Sequence, residues 1–314
     1  MSPYSLQGKT LFITGGASGI GAEVARQVSR KGAQVALVDV DGDAAARLAE
    51  SLPNAIGITA DVRDYDAIEM AVAETVERFG GIDVSFANAG IEIAHSARGV
   101  PLVELERIVD INFTGVFRTA RATLPHLIER RGYLLITASL AAILHGPPLS
   151  HYSATKAGVE AFGNAVRMEV RHKGIDVGVA YFGFIDTPMV QRGKSDPILA
   201  KFEEQQGQNF VGKTYPVSGA GAAVVKGMEG RSRRVMYPRF IRPMHALRSL
   251  MPRFLDRAID GDMVGRLIDE LDERDLVRGD SGDPSREFHE RVLANSEADR
   301  YDRRSEEESD RLLS

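Results

Sequence analysis

A glycine-rich turn between a strand and a helix constrains the fold of this chain more than any other feature. Residues 9–14 form an apolar run that predicts a strand, and Gly15-Gly16-Ala17-Ser18-Gly19-Ile20-Gly21 follows it directly. Residues 20–31 then show the apolar spacing of a helix. Because glycines lack side chains, a phosphate group can approach this backbone, and the helix N-terminus favours its negative charge. The arrangement predicts an α/β fold with an anion-binding turn.

Predicted strands and helices alternate along residues 1–240. The apolar runs that resemble buried parallel strands cover residues 33–38, 55–59, 84–87, 133–137, 177–182 and 234–237. The helical patterns between them cover residues 41–51, 65–79, 103–130 and 152–173. This order predicts an α/β fold with a doubly wound, Rossmann-type parallel sheet in three α/β/α layers. A ligand is expected at the carboxyl ends of the strands.

The predicted organisation is one large domain followed by two shorter segments. Residues 1–240 are expected to form a single dinucleotide-binding and catalytic domain, because a chain of 314 residues with 43% hydrophobic content can bury a large core. Residues 241–278 are expected to form a C-terminal amphipathic helical extension. Residues 279–314 are rich in Asp, Glu, Arg and Ser, which predicts a mobile charged tail.

An acidic residue follows the second predicted strand and bears on the choice of nucleotide. Asp39 lies twenty residues beyond Gly19, the spacing at which a carboxylate meets the adenosine ribose of a dinucleotide. It would accept hydrogen bonds from the ribose hydroxyls and repel a 2′-phosphate, and no Lys or Arg occupies residues 40–43. The sequence therefore favours NAD over NADP. The alternative role for Asp39 is that of a turn or helix-cap residue.

Two residues of one predicted helix form a candidate catalytic pair. Tyr152 and Lys156 are four residues apart, so they would share a helix face. The nearby ammonium is expected to lower the pKa of the phenol, so that Tyr152 could exchange a proton with an alcohol or ketone. Ser139 ends the preceding apolar run and could bring its hydroxyl to the same place. Alone, this pair also fits an exposed helix face.

Together these motifs resemble the short-chain dehydrogenase/reductase family. Thr14 to Gly21 matches its Thr-Gly-x-x-x-Gly-x-Gly signature. The resemblance implies a catalytic tetrad of Asn112, Ser139, Tyr152 and Lys156, in which Asn112 would hold a water that links Lys156 to a proton relay. The cofactor-binding residues that the motifs and the resemblance predict are Gly15, Ser18, Gly19, Ile20, Gly21, Asp39, Asp61, Val62, Asn88, Ala89, Gly90, Tyr152, Lys156, Gly183, Ile185 and Thr187.

One segment departs from the family pattern. The family has Pro-Gly after the sixth strand, whereas this chain has Phe182-Gly183. The loss of the proline removes local stiffness and puts an aromatic ring near the floor of the predicted site. Cofactor binding at Gly183, Ile185 and Thr187 is still expected.

Composition excludes several classes of function. The chain has no cysteine, so disulfides, thiol catalysis and cysteine-bound zinc are excluded, and its seven histidines show no metal-ligand spacing. We therefore expect no metal. A net charge of −5 with scattered charges argues against nucleic acid as a partner. The sequence has no signal-peptide core and no apolar run of about eighteen residues, so a cytoplasmic protein is expected.

A basic segment at residues 231–255 allows two interpretations. Seven arginines alternate with apolar residues there, without a carboxylate. Six apolar residues approximate one helical stripe: Met244, Leu247, Leu250, Met251, Phe254 and Leu255. The favoured interpretation is packing on the same domain or on a neighbouring subunit. The minority interpretation is peripheral contact with a membrane surface.

The substrate is expected to be a small hydrophobic alcohol or ketone of steroid, terpenoid or acyl type. Candidate contacts are Leu140, His145, Phe184 and Met189. The predicted activity is hydride transfer between NAD and a secondary alcohol or ketone (EC 1.1.1.-). The alternatives are an NADPH-dependent carbonyl or 3-oxoacyl reductase and a catalytically silent NAD-sensing or scaffold protein. The resemblance also implies a homodimer or homotetramer, joined through the helices predicted at 103–130 and 152–173.

Overall fold

A single parallel sheet forms the centre of the molecule in the computed structural model, which describes residues 4–206, 213–251 and 261–278. Its seven strands have the spatial order β3-β2-β1-β4-β5-β6-β7. The strands are β1 Thr10–Thr14, β2 Gln34–Asp39, β3 Ala55–Thr59, β4 Val84–Ala87, β5 Tyr133–Thr137, β6 Asp176–Phe182 and β7 Arg234–Tyr237. The strand order reverses between β1 and β4, which opens a crevice at their carboxyl ends.

Helices pack on both faces of this sheet. They are α1 Gly19–Ser29, α2 Gly42–Glu50, α3 Tyr65–Phe79, α4 Leu102–Val109, α5 Gly115–Arg130, α6 Ser150–Val170, α7 Pro188–Lys194, α8 Pro197–Gln206, α9 Val217–Glu229, α10 Ile241–Ala246 and α11 Gly261–Arg278. Every residue of β1, β4 and β5 is buried, because helices cover both faces. The predicted doubly wound α/β fold is confirmed.

The long helix predicted at 103–130 is interrupted. A π-helical segment, Asp110–Thr114, separates α4 from α5. It contains Asn112, which is fully buried. π-helical turns widen a helix locally and are frequent at functional sites. Apolar spacing over one turn does not distinguish an α-helical from a π-helical hydrogen-bond pattern. The prediction of one continuous helix at 103–130 is therefore wrong.

The C-terminal part of the chain is partly integrated into the core. Ile241 of α10 is fully buried with residues of the sheet, and Met244 packs against the same core. Helix α11 packs against α8. A domain boundary at residue 240 stays a prediction, and the tail predicted at 279–314 lies outside the described residues.

The basic segment at 231–255 divides between buried and exposed positions. His245 and Ile241 are buried, whereas Leu247 and Leu250 are about half exposed. Arg248 pairs with Glu160, a buried carboxylate of α6. These contacts favour packing on the same domain for residues 241–250, while Phe254 and Leu255 lie outside the described residues. Among the described helices, none is both long and apolar enough to cross a bilayer.

Candidate active site

A cavity of about 590 Å³ lies at the carboxyl edge of the sheet, where strands β1 to β6 end. A volume of this order accommodates a small-molecule ligand. Most of the predicted cofactor-binding residues line it: Gly15, Ser18, Gly19, Ile20, Asp39, Asp61, Val62, Asn88, Ala89, Gly90, Tyr152, Lys156, Gly183, Ile185 and Thr187. Gly21 lies behind this wall, against the carbonyl of Gly15. The structure therefore brings residues from six separate stretches of sequence to one crevice.

The glycine turn is packed too closely for side chains. Gly15 has a φ of +63°, and a Cβ placed on it would lie 2.8 Å from the Cα of Ala89. Gly19 has a φ of +53°, a left-handed conformation that favours glycine. The side chain of Asn88 donates to the carbonyl oxygens of Thr14 and Gly15, at 3.2 and 3.1 Å. The turn at the start of α1 thus fits the close approach of a pyrophosphate.

Asp39 at the end of β2 is held by two backbone amides. Its Oδ2 accepts a hydrogen bond from the amide of Ala17 at 3.0 Å, and its Oδ1 accepts one from Asp41 at 3.1 Å. The carboxylate therefore stabilises the glycine turn while it lines the cavity. The turn-stabilising role and the ribose-binding role are compatible, because each carboxylate oxygen accepts more than one hydrogen bond.

The predicted cofactor-binding residue Asp61 has an ionic partner that the sequence pattern does not indicate. Arg63 donates from Nε at 2.9 Å and from Nη2 at 2.6 Å to its Oδ2. This guanidinium holds the pKa of Asp61 below its usual value. Arg63 also lines the cavity, so a cation stands on the nucleotide side even though residues 40–43 supply none.

Asn112 does not line the cavity but fixes the backbone beside it. Its Oδ1 accepts a hydrogen bond from the amide of Ile91, and its Nδ2 donates to the carbonyl of Ile91, both at 2.8 Å. Nδ2 also lies 3.4 Å from the hydroxyl of Thr155 on α6. Asn112 therefore ties the segment after β4 to α6. Its predicted role in holding a water stays a prediction.

Ser139, Tyr152 and Lys156 line one part of the cavity. The Oγ of Ser139 accepts a hydrogen bond from the amide of Ala141 at 3.1 Å, so its hydroxyl proton remains available to another acceptor. The Nζ of Lys156 lies 5.6 Å from the ring centroid of Tyr152. It donates to the carbonyl of Thr137 at 3.1 Å. The predicted hydroxyl, phenol and ammonium are therefore together, and Tyr152 and Lys156 are both buried.

The pKa values of Tyr152 and Lys156 are not shifted as the sequence predicts. Burial raises the pKa of the Tyr152 phenol, the Glu92 carboxylate adds to the rise, and a hydrogen bond with Ser139 opposes it. Burial also lowers the pKa of Lys156 to about 8, against the effect of Glu92. The predicted lowering of the tyrosine pKa by lysine is therefore wrong, because desolvation disfavours both charged forms.

The candidate substrate contacts divide into two groups. Leu140, Phe184 and Met189 line the cavity, together with Leu144. His145 does not line it, and its Nε2 lies 3.3 Å from the carbonyl oxygen of Ala142. Gly183, in the segment that departs from the family pattern, donates its amide to the carbonyl oxygen of Tyr237 at 3.1 Å. Pairing with β7 therefore holds this backbone without the proline.

Glu92, which lines the cavity two positions after Gly90, is a second residue that the sequence motifs do not predict. Burial raises its pKa, and the charge of Lys156 opposes the rise. One signal was present in the sequence, since Glu92 is a lone carboxylate between Ile91 and Ile93. Its proximity to Tyr152 depends on how the segment after β4 meets α6, which the sequence pattern does not specify.

The C-terminal helix α11 is joined to the segment after β4 by buried charges. Asp272, with 1% exposure, contacts Ser96 and Arg98. Asp275 lies 2.8 Å from Nδ1 of His95. Arg274 donates to Asp196, just before α8, at 2.8 Å. This network connects α11 both to the segment after β4 and to the helix pair that follows β6.

Comparison with known proteins agrees with this geometry. The family model described as "short chain dehydrogenase" matches residues 9–197. The chain belongs to the short-chain dehydrogenase/reductase family. It is an oxidoreductase that acts on CH–OH groups, and its relatives are named as dehydrogenases of this kind. Helix α7 lies at the end of the matched region, α8 begins at its last residue, and α11 lies beyond it.

This dehydrogenase is similar to two curated relatives. It is 34% identical over 194 residues to 1-deoxy-11-beta-hydroxypentalenate dehydrogenase of Streptomyces exfoliatus, covering 59% of this chain and 70% of the relative. It is 30% identical over 225 residues to 3beta-hydroxysteroid dehydrogenase 1 of Eggerthella lenta, covering 69% of this chain and 86% of the relative. Among solved structures, a short-chain type dehydrogenase/reductase from Mycobacterium marinum has a TM-score of 0.67 at 27% identity, covering 74% of this chain and 94% of that one.

Proposed function

We propose that this dehydrogenase transfers a hydride between NAD and a hydrophobic secondary alcohol or its ketone. The observation that carries the proposal is the meeting of Ser139, Tyr152 and Lys156 in one cavity with the glycine turn and Asp39. A silent NAD-sensing or scaffold protein would need the turn and the carboxylate but not the three catalytic side chains.

In the oxidative direction, Tyr152 accepts the alcohol proton. Ser139 donates a hydrogen bond to the substrate oxygen, because its own oxygen is already held by the amide of Ala141. Lys156 provides positive charge and donors that its bond to Thr137 leaves free. When bound, the oxidised nicotinamide supplies the hydride acceptor and a second positive charge. Positive charge favours the phenolate and opposes the desolvation that raises the Tyr152 pKa.

The catalytic assignment is tested by Tyr152→Phe, with Tyr65→Phe on α3 as the control. Removal of the phenol is expected to lower kcat about a thousandfold, within the range of general acid–base catalysis. NAD affinity should be nearly unchanged, because the glycine turn and Asp39 are intact. Turnover is followed by NADH absorbance and affinity by calorimetry. Retained turnover in Tyr152→Phe would place the proton transfer elsewhere.

The preference for NAD is supported by Asp39, whose carboxylate lines the cavity at the end of β2. Arg63 supports the alternative NADPH-dependent reductase, since it lines the same cavity, but Asp61 already engages it at 2.6 Å. The comparison of kcat/KM with the two cofactors tests this choice. We expect NAD to be preferred, and a preference for NADP would select the alternative.

The preference for a hydrophobic substrate is supported by the apolar wall of Leu140, Leu144, Phe184 and Met189. Relatives named for a hydroxysteroid and a hydroxypentalenate agree with such a substrate. A panel of ring alcohols, acyl-chain alcohols and sugars would measure the specificity. Faster oxidation of small polar sugars than of ring alcohols would contradict the apolar pocket.

We also propose a second copy of this chain as the partner of α5 and α6. Phe117 of α5 stacks on Phe162 of α6, with ring centroids 3.7 Å apart, yet remains 40% exposed. Ile128 and Met168 are also exposed on these helices, at 39% and 72%. A dimer or tetramer would cover this face. Light scattering would measure the subunit number, and a monomer at micromolar concentration would exclude this interface.

A further inference from the structure

Glu92 lines the cavity next to a peptide whose position is fixed. The residue before it, Ile91, is held through both its amide and its carbonyl by Asn112. Glu92 itself lines the cavity with Ser139, Tyr152 and Lys156. Because the adjoining peptide is clamped, its carboxylate is confined to the neighbourhood of the reacting centre.

The carboxylate of Glu92 has no direct partner in the described parts of the chain. Among the described residues, Glu92 makes no hydrogen bond and has no cation within 4.0 Å, and Lys156 donates to Thr137 instead. Neither oxygen of Glu92 is among the buried side-chain atoms that are sealed without a partner, so both can be reached from the cavity. The residue is only partly buried. A ligand that fills the cavity would displace solvent from this carboxylate, and a hydrogen bond donated by the ligand would offset that cost.

The charge of Glu92 nevertheless acts on the catalytic pair. It raises the pKa of both Tyr152 and Lys156, which places it near the phenol and the ammonium. Lys156 already balances the negative charge in this part of the site. A neutral donor therefore matches Glu92 better than a second cation would.

We propose that Glu92 is a specificity-determining residue that accepts a hydrogen bond from a second hydroxyl group of the substrate. The preferred substrates are then diols or hydroxyketones on an apolar skeleton, with the second hydroxyl close to the carbinol that reacts at Tyr152. The inference rests on the proposed function and deepens it. The apolar wall selects the skeleton, and Glu92 selects the hydroxyl.

The test compares trans-1,2-cyclohexanediol with trans-2-methoxycyclohexanol, in which a methyl ether replaces the hydrogen-bond donor. The ratio of their kcat/KM values is measured in the wild type, Glu92→Gln and Glu92→Leu. We expect the diol to be preferred about tenfold or more in the wild type, since a hydrogen bond to a charged acceptor is involved. The preference should approach unity in Glu92→Leu. It should be intermediate in Glu92→Gln, whose amide oxygen accepts without charge.

Glu69→Gln, at an exposed position of α3, is the control and should keep the wild-type ratio. Because each ratio is taken within one variant, a general loss of folding or of catalysis lowers both substrates and leaves the ratio unchanged. An equal ratio in the wild type and Glu92→Leu, or no preference in the wild type, overturns the role of Glu92 and leaves the proposed function standing. Failure to oxidise either alcohol with NAD or NADP overturns both.

Discussion

The glycine-turn crevice and the C-terminal helix α11 are held to the same body by different forces. At the crevice, Asn88 bonds two backbone carbonyls, and a Cβ on Gly15 would lie only 2.8 Å from the Cα of Ala89. At α11, the contacts are made by charged side chains, with Asp272 and Asp275 almost fully buried. Close backbone packing is sensitive to added volume, whereas a buried ionic network is sensitive to the loss of one charge.

The two kinds of packing match two different roles, cofactor binding proposed for the crevice and attachment of a helix for α11. For the proposed cofactor binding, the crevice would have to present backbone amides to a phosphate, so its fit would depend on missing side chains. Helix α11 only has to stay on the segment after β4 and near α8, which paired side chains accomplish. The same kind of substitution should therefore have opposite consequences in the two regions.

The largest effect is expected from Gly21→Ala. A Cβ at this position would overlap the carbonyl oxygen of Gly15 and approach Asn88 to 2.9 Å, so the backbone of α1 must move. We expect a loss of about 3 kcal/mol in the free energy of unfolding, at the upper end of overpacking costs. The affinity for the cofactor should fall at least about tenfold, because the displaced turn should lose at least about 1.4 kcal/mol of binding free energy. Denaturant titration and calorimetry measure the two quantities.

Gly265→Ala in α11 is the matched control. Within the part of the chain that the structure describes, no atom lies within 4 Å of a Cβ at this exposed helical position. Alanine is favoured over glycine in a helix by about 1 kcal/mol, so this variant should be neutral or more stable. Equal destabilisation by the two substitutions would remove the proposed contrast between the regions.

A pH experiment tests the buried cation of the crevice. The pKa of Lys156 is lowered from 10.5 to about 8, so the folded state loses this proton before the unfolded state does. The cost of the buried ammonium is therefore fully present below pH 8 and is relieved as the pH rises towards 10.5. Wild-type stability relative to Lys156→Met should rise by roughly 3 kcal/mol across that window. A flat difference between the two proteins from pH 7 to 10 would contradict the burial of the charge.

A smaller effect is expected from Asp272→Ala in the ionic network. Asp272 has 1% exposure and contacts Ser96 and Arg98, so removing its carboxylate takes this acceptor from the buried hydroxyl of Ser96 and from the partly exposed guanidinium of Arg98. We expect a loss of about 2 kcal/mol in stability. Proteolysis within 261–278 should become faster, while NAD affinity stays at the wild-type value.

Glu270→Gln provides the exposed comparison on the same helix. Glu270 pairs with Lys201, and the two side chains are 37% and 56% exposed. Exposed ion pairs contribute about 0–1 kcal/mol, so the change should be small. If Asp272→Ala lowers the free energy of unfolding no more than Glu270→Gln does, the ionic network does not attach α11.

The local pattern of the chain predicted much of the fold and about half of the residues that line the cavity. The strands at 55–59, 84–87, 133–137 and 234–237 have the bounds expected from apolar runs alone. The turn residues and Asp39 could be predicted to line one cavity because close backbone approach requires glycine, and because a carboxylate at this spacing is typical of ribose recognition. Such requirements act over a few neighbouring residues, so they are visible in sequence.

Tertiary structure decided the features that depend on distant segments. Asp272 and Asp275 meet partners that are 174 to 180 residues away, which no local pattern specifies. The sequence placed Tyr152 beside Lys156, but burial determined that the tyrosine pKa rises. Glu92 lines the same cavity as Tyr152, and the peptide before it is fixed by Asn112, a residue twenty positions further along the chain. Residue type and spacing determined which chemistry is present, whereas desolvation and long-range packing determined its charges and contacts.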